Sequence, residues 1–304
     1  MKGKRLIAII GPTAVGKTGL AIRLARQLHT EIISADSRQI FRELEIGTTK
    51  PSPEELAQTP HHFISTKSIQ DEYDAGQYAR DALVIIDQLF EKYDNVILCG
   101  GSGLYVKAVC EGFDNMPFVP VGLRETIMAE YEEKGLAWLQ KQVEENDPDY
   151  FMTVDQRNPH RLVRALELNR ASGKPIGEFR QKKKQDRPFA IVKIGLELDR
   201  AELYSRIDQR MENMIEAGLF EEAENLYPMK SLNALQTVGY QEIFGFLEGK
   251  YDKEEAIRLL KRNSRHYAKR QLTWFKKDKD VRWFRPDQFQ EIVTFALTSS
   301  PDEQ

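Results

Sequence analysis

The chain has 304 residues, 41% hydrophobic and 30% charged, which is the make-up of an ordinary soluble globular protein. That length supports a substantial buried core in one large domain or two unequal ones. The formal net charge of −3 excludes a polyelectrolyte, so any nucleic-acid surface must come from local segregation of charge. The two cysteines, Cys99 and Cys110, belong to no CxxC or Cys/His cluster, which argues against zinc and for a reduced, cytoplasmic protein. The first apolar run, Leu6 to Ile10, is too short for a signal-peptide core, and no later run reaches membrane-spanning length.

Leu6 to Ile10 predicts a buried strand, and a glycine-rich stretch follows it at once. Leu20, Leu24 and Leu28 then recur at helical spacing. Strand, loop and helix in that order open an α/β sheet protein. Further strands are predicted at Glu31 to Asp36, Asn95 to Cys99 and Ala190 to Leu196. Between the last two lies a long helical pattern that includes Arg124 to Val143 and Arg161 to Ala171. Lys182 to Arg187 closes it as a polar linker. From Arg200 onward the pattern is helical almost to the end, with Pro301 opening a frayed tail. The expected fold is a P-loop NTPase-like parallel sheet flanked by helices, with an inserted all-helical subdomain. The core with its C-terminal helices takes residues 1–115 and 190–304, and the insert takes 116–189.

Gly11, Pro12, Thr13, Ala14, Val15, Gly16, Lys17 and Thr18 fit G-x-x-x-x-G-K-T without a mismatch. Such a loop turns backbone N–H groups inward around phosphate oxygens, at the positive end of the following helix. Lys17 adds a cation, and the Thr18 hydroxyl is placed for Mg²⁺. This predicts polyphosphate binding without saying which polyphosphate. A P-loop hydrolase usually ends a second strand in Asp, whereas Asn95 to Cys99 ends in Gly100-Gly-Ser-Gly103. The carboxylate at a strand end near the loop is Asp36, which can hold Mg²⁺, accept a proton from a nucleophile, or cap the next turn.

Five segments occur in order: the P-loop, Asp36-Ser-Arg-Gln39, Ile46-Gly-Thr-Thr-Lys-Pro51, Gly100-Gly-Ser-Gly-Leu-Tyr105 and Lys269-Arg-Gln-Leu-Thr-Trp-Phe275. Together they resemble the bacterial tRNA dimethylallyltransferase family from about Leu6 to Phe284. The resemblance implies that the loop holds the diphosphate of dimethylallyl diphosphate, and that the acceptor is N6 of the adenosine 3′ of the anticodon. It implies Asp36 as general base, helped by Lys17 and Thr18, with Arg206 and Arg210 near the diphosphate and Mg²⁺ as cofactor. It implies tRNA contacts at Asp36, Ser37, Arg38, Gln39, Ser102, Arg124, Gln156, Arg157, Asn158, Pro159, His160, Gly239, Tyr240, Lys269 and Arg270. Ser102 stands where the family more often has Thr, Asn158 to His160 replace a more basic run, and the zinc finger of eukaryotic relatives is absent. No protein partner is implied, and the chain is expected to act as a monomer.

Arg258 to Lys279 is rich in cations, with Lys261, Arg265 and Lys269 four residues apart and so on one helix face. With the other motifs present, that face is expected to meet the tRNA backbone. His61-His62 is expected to be structural rather than a metal pair, and Glu221-Glu222 to be a solvated face. A P-loop also fits a small-molecule or nucleotide kinase, but the insert, the basic helix and the Gly-Gly-Ser-Gly turn argue against one. Isopentenyltransferases acting on free adenine nucleotides are generally shorter. Intact Lys17, Thr18 and Asp36 argue against a binding module without catalysis.

Overall fold

The computed structural model describes residues 3–114, 116–179 and 184–299. Part of the linker expected at 182–187 and the tail from Pro301 lie outside the described residues. The chain divides into two compact units: Met1–Glu111 with Asp186–Gln304, and Gly112–Gln185.

The first unit is built on a parallel sheet of six strands: β1 (Arg5–Ile10), β2 (Ile32–Ser34), β3 (His61–His62), β4 (Asn95–Gly100), β5 (Ala190–Leu196) and β6 (Val281–Phe284). Their order is β3-β2-β4-β1-β5-β6, with neighbouring strands parallel throughout. Leu6 to Ile10 of β1 are at most 1% exposed. A central parallel strand covered on both faces needs such an unbroken apolar run. The helices of this unit are α1 (Lys17–Leu28), α2 (Pro53–Gln58), α3 (Ala75–Lys92) and α4 (Gly103–Glu111) before the second unit. After it come α9 (Arg200–Glu216), α10 (Leu219–Leu226), α11 (Tyr240–Leu247), α12 (Lys253–Phe275) and α13 (Phe289–Thr298). The chain leaves β1 to one side of the sheet and returns to its other side as β5. The space outside the carboxyl ends of β1, β4 and β2 is therefore where a ligand fits.

Two strands differ from expectation. β3 has two residues and β6 four, and both lie at sheet edges. Neither is long enough to show a period of two. β6 docks because Gly195 of β5 has no side chain: a Cβ there would lie 2.7 Å from the Trp283 ring.

The second unit holds α5 (Leu123–Asn146), α6 (Pro148–Thr153), α7 (Pro159–Ser172) and α8 (Ile176–Phe179) around Ile127, Leu139, Leu162, Val163 and Leu166. The helix expected from Arg124 to Val143 is broken at Gly135, whose φ of 78° is not helical. Asp147 is buried and joins two helices: Oδ1 accepts the Tyr150 N–H and Oδ2 the Ile176 N–H.

Glu222 on α10 corrects the expectation of a solvated Glu221-Glu222 face. Its carboxylate accepts the N–H groups of Glu45, Ile46 and Gly47 at 3.1, 2.7 and 2.9 Å. It also accepts the Tyr240 hydroxyl at 2.6 Å. These bonds clamp the start of the 3₁₀ turn Ile46–Thr48, which lines the site described below. Glu222→Ala leaves those donors without their acceptor and is expected to cost about 2–3 kcal/mol. Denaturant titration of the variant checks this.

Candidate active site

The loop after β1 has the conformation that its glycines allow. Gly11 sits at φ 149°, and a Cβ there would lie 2.6 Å from the Leu196 carbonyl oxygen at the end of β5. Ala14 at φ 63° and Gly16 at φ 102° complete the reversal of the chain into α1. Left-handed residues interleaved in a loop turn successive N–H groups toward one space, and the positive end of α1 faces the same way.

Lys17 folds back so that Nζ donates to the Pro12 carbonyl at 2.6 Å. Burial lowers its pKa to about 8, with Arg210 pushing the same way and Cys99 and Asp36 opposing. Burial likewise lowers Arg210 from its usual value, against the pull of Asp36. Arg210 donates to the Thr13 hydroxyl at 3.2 Å, so α9 brings a second cation to the loop. Arg206, one turn earlier, is half exposed and paired with Glu202 at 2.9 Å. Thr18 stands beside Lys17 on the cavity wall.

Asp36 follows β2. Its Oδ1 accepts the N–H groups of Arg38 and Gln39 at 2.9 and 3.3 Å, so the carboxylate caps its own turn. Oδ2 accepts no hydrogen bond among the described residues. The Asp36–Gln39 turn is pinned from β4. Ser102 Oγ accepts the Ser37 N–H at 2.9 Å and donates to Ser37 Oγ at 3.1 Å. Gly100 permits the approach, since a Cβ there would lie 2.1 Å from the Ala35 carbonyl oxygen. Gln39 faces inward: Nε2 donates to the carbonyls of Thr48 and Thr49 at 3.2 and 3.0 Å. Ser102 and Gln39 therefore have internal partners in this structure.

One cavity of about 360 Å³ joins these parts. Thr13, Lys17, Thr18 and Arg210 line it together with Asp36, Arg38 and Tyr267. Ile207, Met211 and Met214 add an apolar wall from α9, and Thr237, Val238 and Gly239 lie on the lining too. Burial lowers the Arg38 pKa, while Asp36, Tyr267 and Tyr105 oppose that shift. Burial first, then the field of Asp36, pushes the Tyr267 hydroxyl up to about 12. Burial also pushes the Cys99 thiol up to about 12, so it is a neutral wall of the cavity.

Other expected residues fall elsewhere. Tyr240, expected among the tRNA contacts, is fully buried, and its hydroxyl donates to Glu222. It acts from inside, where Gly47 makes room: a Cβ at Gly47 would lie 2.4 Å from the Tyr240 hydroxyl. Lys261 and Arg265 do not present a free face. They pair with Glu212 and Asp208 of α9 at 2.7 and 2.6 Å, because α12 packs on an acidic neighbour. Lys269 and Arg270 remain exposed, and the Arg270 guanidinium lies 5.7 Å over the Tyr267 ring. In the second unit, Arg124 and Arg164 both pair with the buried Glu167, at 2.7 and 3.0 Å. Asn158 caps α7 through the Arg161 N–H, and Pro159 takes the first turn of that helix. Gln156, Arg157 and His160 are exposed. The ring of His62 meets Glu31 at 2.7 Å and that of His61 meets the Thr59 carbonyl at 2.8 Å. No group of three His, Cys, Asp or Glu side chains among the described residues is placed to hold a metal.

Gln271 was not among the expected site residues, nor were the apolar lining residues of α9. Gln271 on α12 is buried, accepts the Thr13 N–H at 2.8 Å and donates to the Gly101 carbonyl at 2.9 Å. The signal was present: Leu260, Ser264, Ala268, Gln271 and Phe275 form the buried stripe of α12, and an amide in such a stripe needs partners.

The family model described as IPP transferase matches residues 39–278. A curated tRNA dimethylallyltransferase of Cytophaga hutchinsonii is 51% identical, over 96% of this chain and 96% of that protein. The tRNA dimethylallyltransferase 1 of Bacteroides fragilis is 46% identical, over 98% and 99% of the two chains. The crystal structure of a tRNA isopentenylpyrophosphate transferase from Bacillus halodurans is 36% identical and superposes with a TM-score of 0.71, over 96% of this chain and 95% of that one. With the family model spanning most of its length and such relatives matching nearly all of it, the chain belongs to the IPP transferase family.

Proposed function

We propose that this protein transfers the dimethylallyl group of dimethylallyl diphosphate to N6 of the adenosine immediately 3′ of the anticodon in tRNA, releasing diphosphate. The observation that carries the reading is that one cavity holds both a cationic phosphate loop and a carboxylate. The names of the relatives, tRNA dimethylallyltransferase, agree with it.

N6 of adenine is a weak nucleophile because its lone pair is delocalised into the ring. The allylic C1 of the donor is a good electrophile when diphosphate can depart. As the C1–O bond breaks, positive charge gathers on the allyl group and negative charge on the leaving oxygens. The loop N–H groups, Lys17 and Arg210 stabilise the latter, and they bind the transition state better than the ground state. Asp36 takes the proton that N6 sheds as the N6–C1 bond forms. Its division of labour suits that step: Oδ1 is held by the Arg38 and Gln39 N–H groups, which leaves Oδ2 for N6. Ile207, Met211 and Met214 offer the allyl group a dry wall.

Mg²⁺ fits this donor set. The Thr18 hydroxyl lies on the cavity wall beside Lys17, and a site with few protein oxygens is the kind that Mg²⁺ completes with substrate phosphates and water. When bound, the ion would neutralise charge on the diphosphate. The target base must leave its stack in the anticodon loop, at a cost of a few kcal/mol. Lys269, Arg270, Arg157 and His160 are exposed and suit the tRNA backbone. No helix among the described residues is long and apolar enough to cross a membrane, and the cytoplasm is where the substrate would be met.

Labelled dimethylallyl diphosphate, Mg²⁺ and either unmodified tRNA or AMP form the direct test. Label is expected in tRNA; label in AMP alone, or in neither, overturns the reading. Asp36→Asn keeps an oxygen to cap the turn but removes the base. It is expected to lower kcat by about 10²-fold or more with little change in melting temperature. Turnover near that of the wild type would remove Asp36 from the base role.

Lys17 generates a pH dependence. Below about 8 the free protein carries this cation, and above it the ammonium is progressively lost. A bound diphosphate favours the charged form, so donor binding takes up a proton above that pH. The donor KM is therefore expected to be flat below pH 8 and to rise by up to about tenfold per pH unit above it. Lys17→Arg should remove that rise, as steady-state kinetics across the alkaline range can show. Binding of tRNA should weaken as salt rises. Lys269→Ala and Arg270→Ala are each expected to lower the salt slope by about one, read by filter binding at several ionic strengths.

A further inference from the structure

Gln271 takes no part in the chemistry above, yet one of its hydrogen bonds ends on the backbone of a cavity-lining residue, Thr13, and the other on the turn that follows Gly100 of the cavity wall. Oε1 accepts the Thr13 N–H at 2.8 Å and Nε2 donates to the Gly101 carbonyl at 2.9 Å. Thr13 belongs to the phosphate loop after β1, and Gly101 to the turn after β4. Gly101 leaves room for the amide, since a Cβ there would lie 2.3 Å from Nε2. The side chain is buried, so water does not readily replace either bond. Among side chains of this length, a carboxylate lacks the donor and a thioether lacks a competent pair.

The Thr13 peptide is held at its other side as well. The Thr13 hydroxyl accepts from Arg210 at 3.2 Å. One residue of the loop is thus fixed by α12 through its N–H and by α9 through its hydroxyl. Without Gln271 the Thr13 N–H would lose its partner and the peptide would be free to rotate, and the hydroxyl that receives Arg210 would move with it.

We propose that Gln271 is the positioning residue of the diphosphate cradle. It fixes the Thr13 peptide against the Gly100–Gly103 turn, and so holds the loop and Arg210 in the arrangement that receives the leaving group. The inference rests on the reading of this loop as the donor's diphosphate site. It predicts an effect on donor binding that exceeds any effect on folding or on tRNA.

The test is calorimetric binding of inorganic pyrophosphate with Mg²⁺ to the full chain, as wild type, Gln271→Met and Gln271→Glu. Thr273→Ala, an exposed position on the same helix, is the control. The wild type and the control should bind alike. Gln271→Met should bind at least about tenfold more weakly, the loss expected for two broken hydrogen bonds at a charged site. Its donor KM should rise by a similar factor, with kcat, tRNA affinity and melting temperature changed much less. Gln271→Glu should recover donor binding relative to wild type as pH falls, because a protonated carboxyl again offers one donor and one acceptor. Pyrophosphate binding by Gln271→Met equal to that of the wild type overturns the inference and leaves the functional reading standing. A wild type that does not bind pyrophosphate overturns the reading itself. Equal losses of donor affinity, tRNA affinity and melting temperature would reduce Gln271 to a packing role and overturn the inference. If Gln271→Met fails to fold, Gln271→Glu decides, and a deficit that does not change with pH counts against the proposal.

Discussion

Crowding cations into a cavity walled by protein is unfavourable until an anion arrives, and the rest of this structure is arranged around that constraint. Lys17 and Arg210 both reach the same loop, and burial holds both pKa values below their usual range. Arg38 shares the depression. Asp36 is the carboxylate that opposes all three shifts, so it compensates part of the cost in the free protein. A diphosphate would compensate the remainder, which is why such a site binds a polyanion better than its exposed charges alone would suggest.

Such a site must also resist collapse. Cations that repel one another move apart unless the backbone beneath them is rigid. The supports here are backbone hydrogen bonds made by buried or half-buried side chains. Ser102 pins Ser37, Gln39 spans to Thr48 and Thr49, Gln271 ties Thr13 to Gly101, and Glu222 clamps Glu45 to Gly47. All but the Gln39 bonds join segments far apart in sequence. Those three rely on close approach, and the glycines mark where: Gly47, Gly100 and Gly101 all face atoms that a Cβ would strike. Motif residues such as Ser102 and Gln39, which look like ligand contacts in a linear sequence, thus also have internal partners that brace this frame.

The central strand, the phosphate loop and the first helix were legible because their signals are local. An unbroken apolar run demands burial on both faces, and the loop carries its own chemistry. The edge strands β3 and β6 were not legible, since two and four residues give no period and their pairing depends on partners elsewhere. Charge misled where its partner lay on another helix. Lys261 and Arg265 look like a basic stripe until Asp208 and Glu212 of α9 are seen opposite them. Glu222 looked solvated because its four donors come from residues 45–47 and 240. Tyr240 is expected as a contact from the family resemblance, while its burial depends on the gap at Gly47. Pair interactions across the chain are the part that a linear pattern cannot encode.

Asp36 shows how the frame and the chemistry can share one side chain. Three roles were open to it: metal ligand, base or cap. The cap is observed, and it occupies Oδ1 alone. A carboxylate has two oxygens, so capping with one does not compete with proton transfer by the other. It assists, because a side chain tethered by two backbone N–H groups loses little further freedom when it meets the substrate. The same tether exacts a chemical cost: two N–H donors withdraw charge from the carboxylate and weaken it as a base. A site that accepts a weaker but fixed base suits a reaction in which N6 becomes acidic only as its bond to carbon forms. In the proposed reaction proton transfer then follows bond making, and departure of a diphosphate that Lys17 and Arg210 would hold is the harder event.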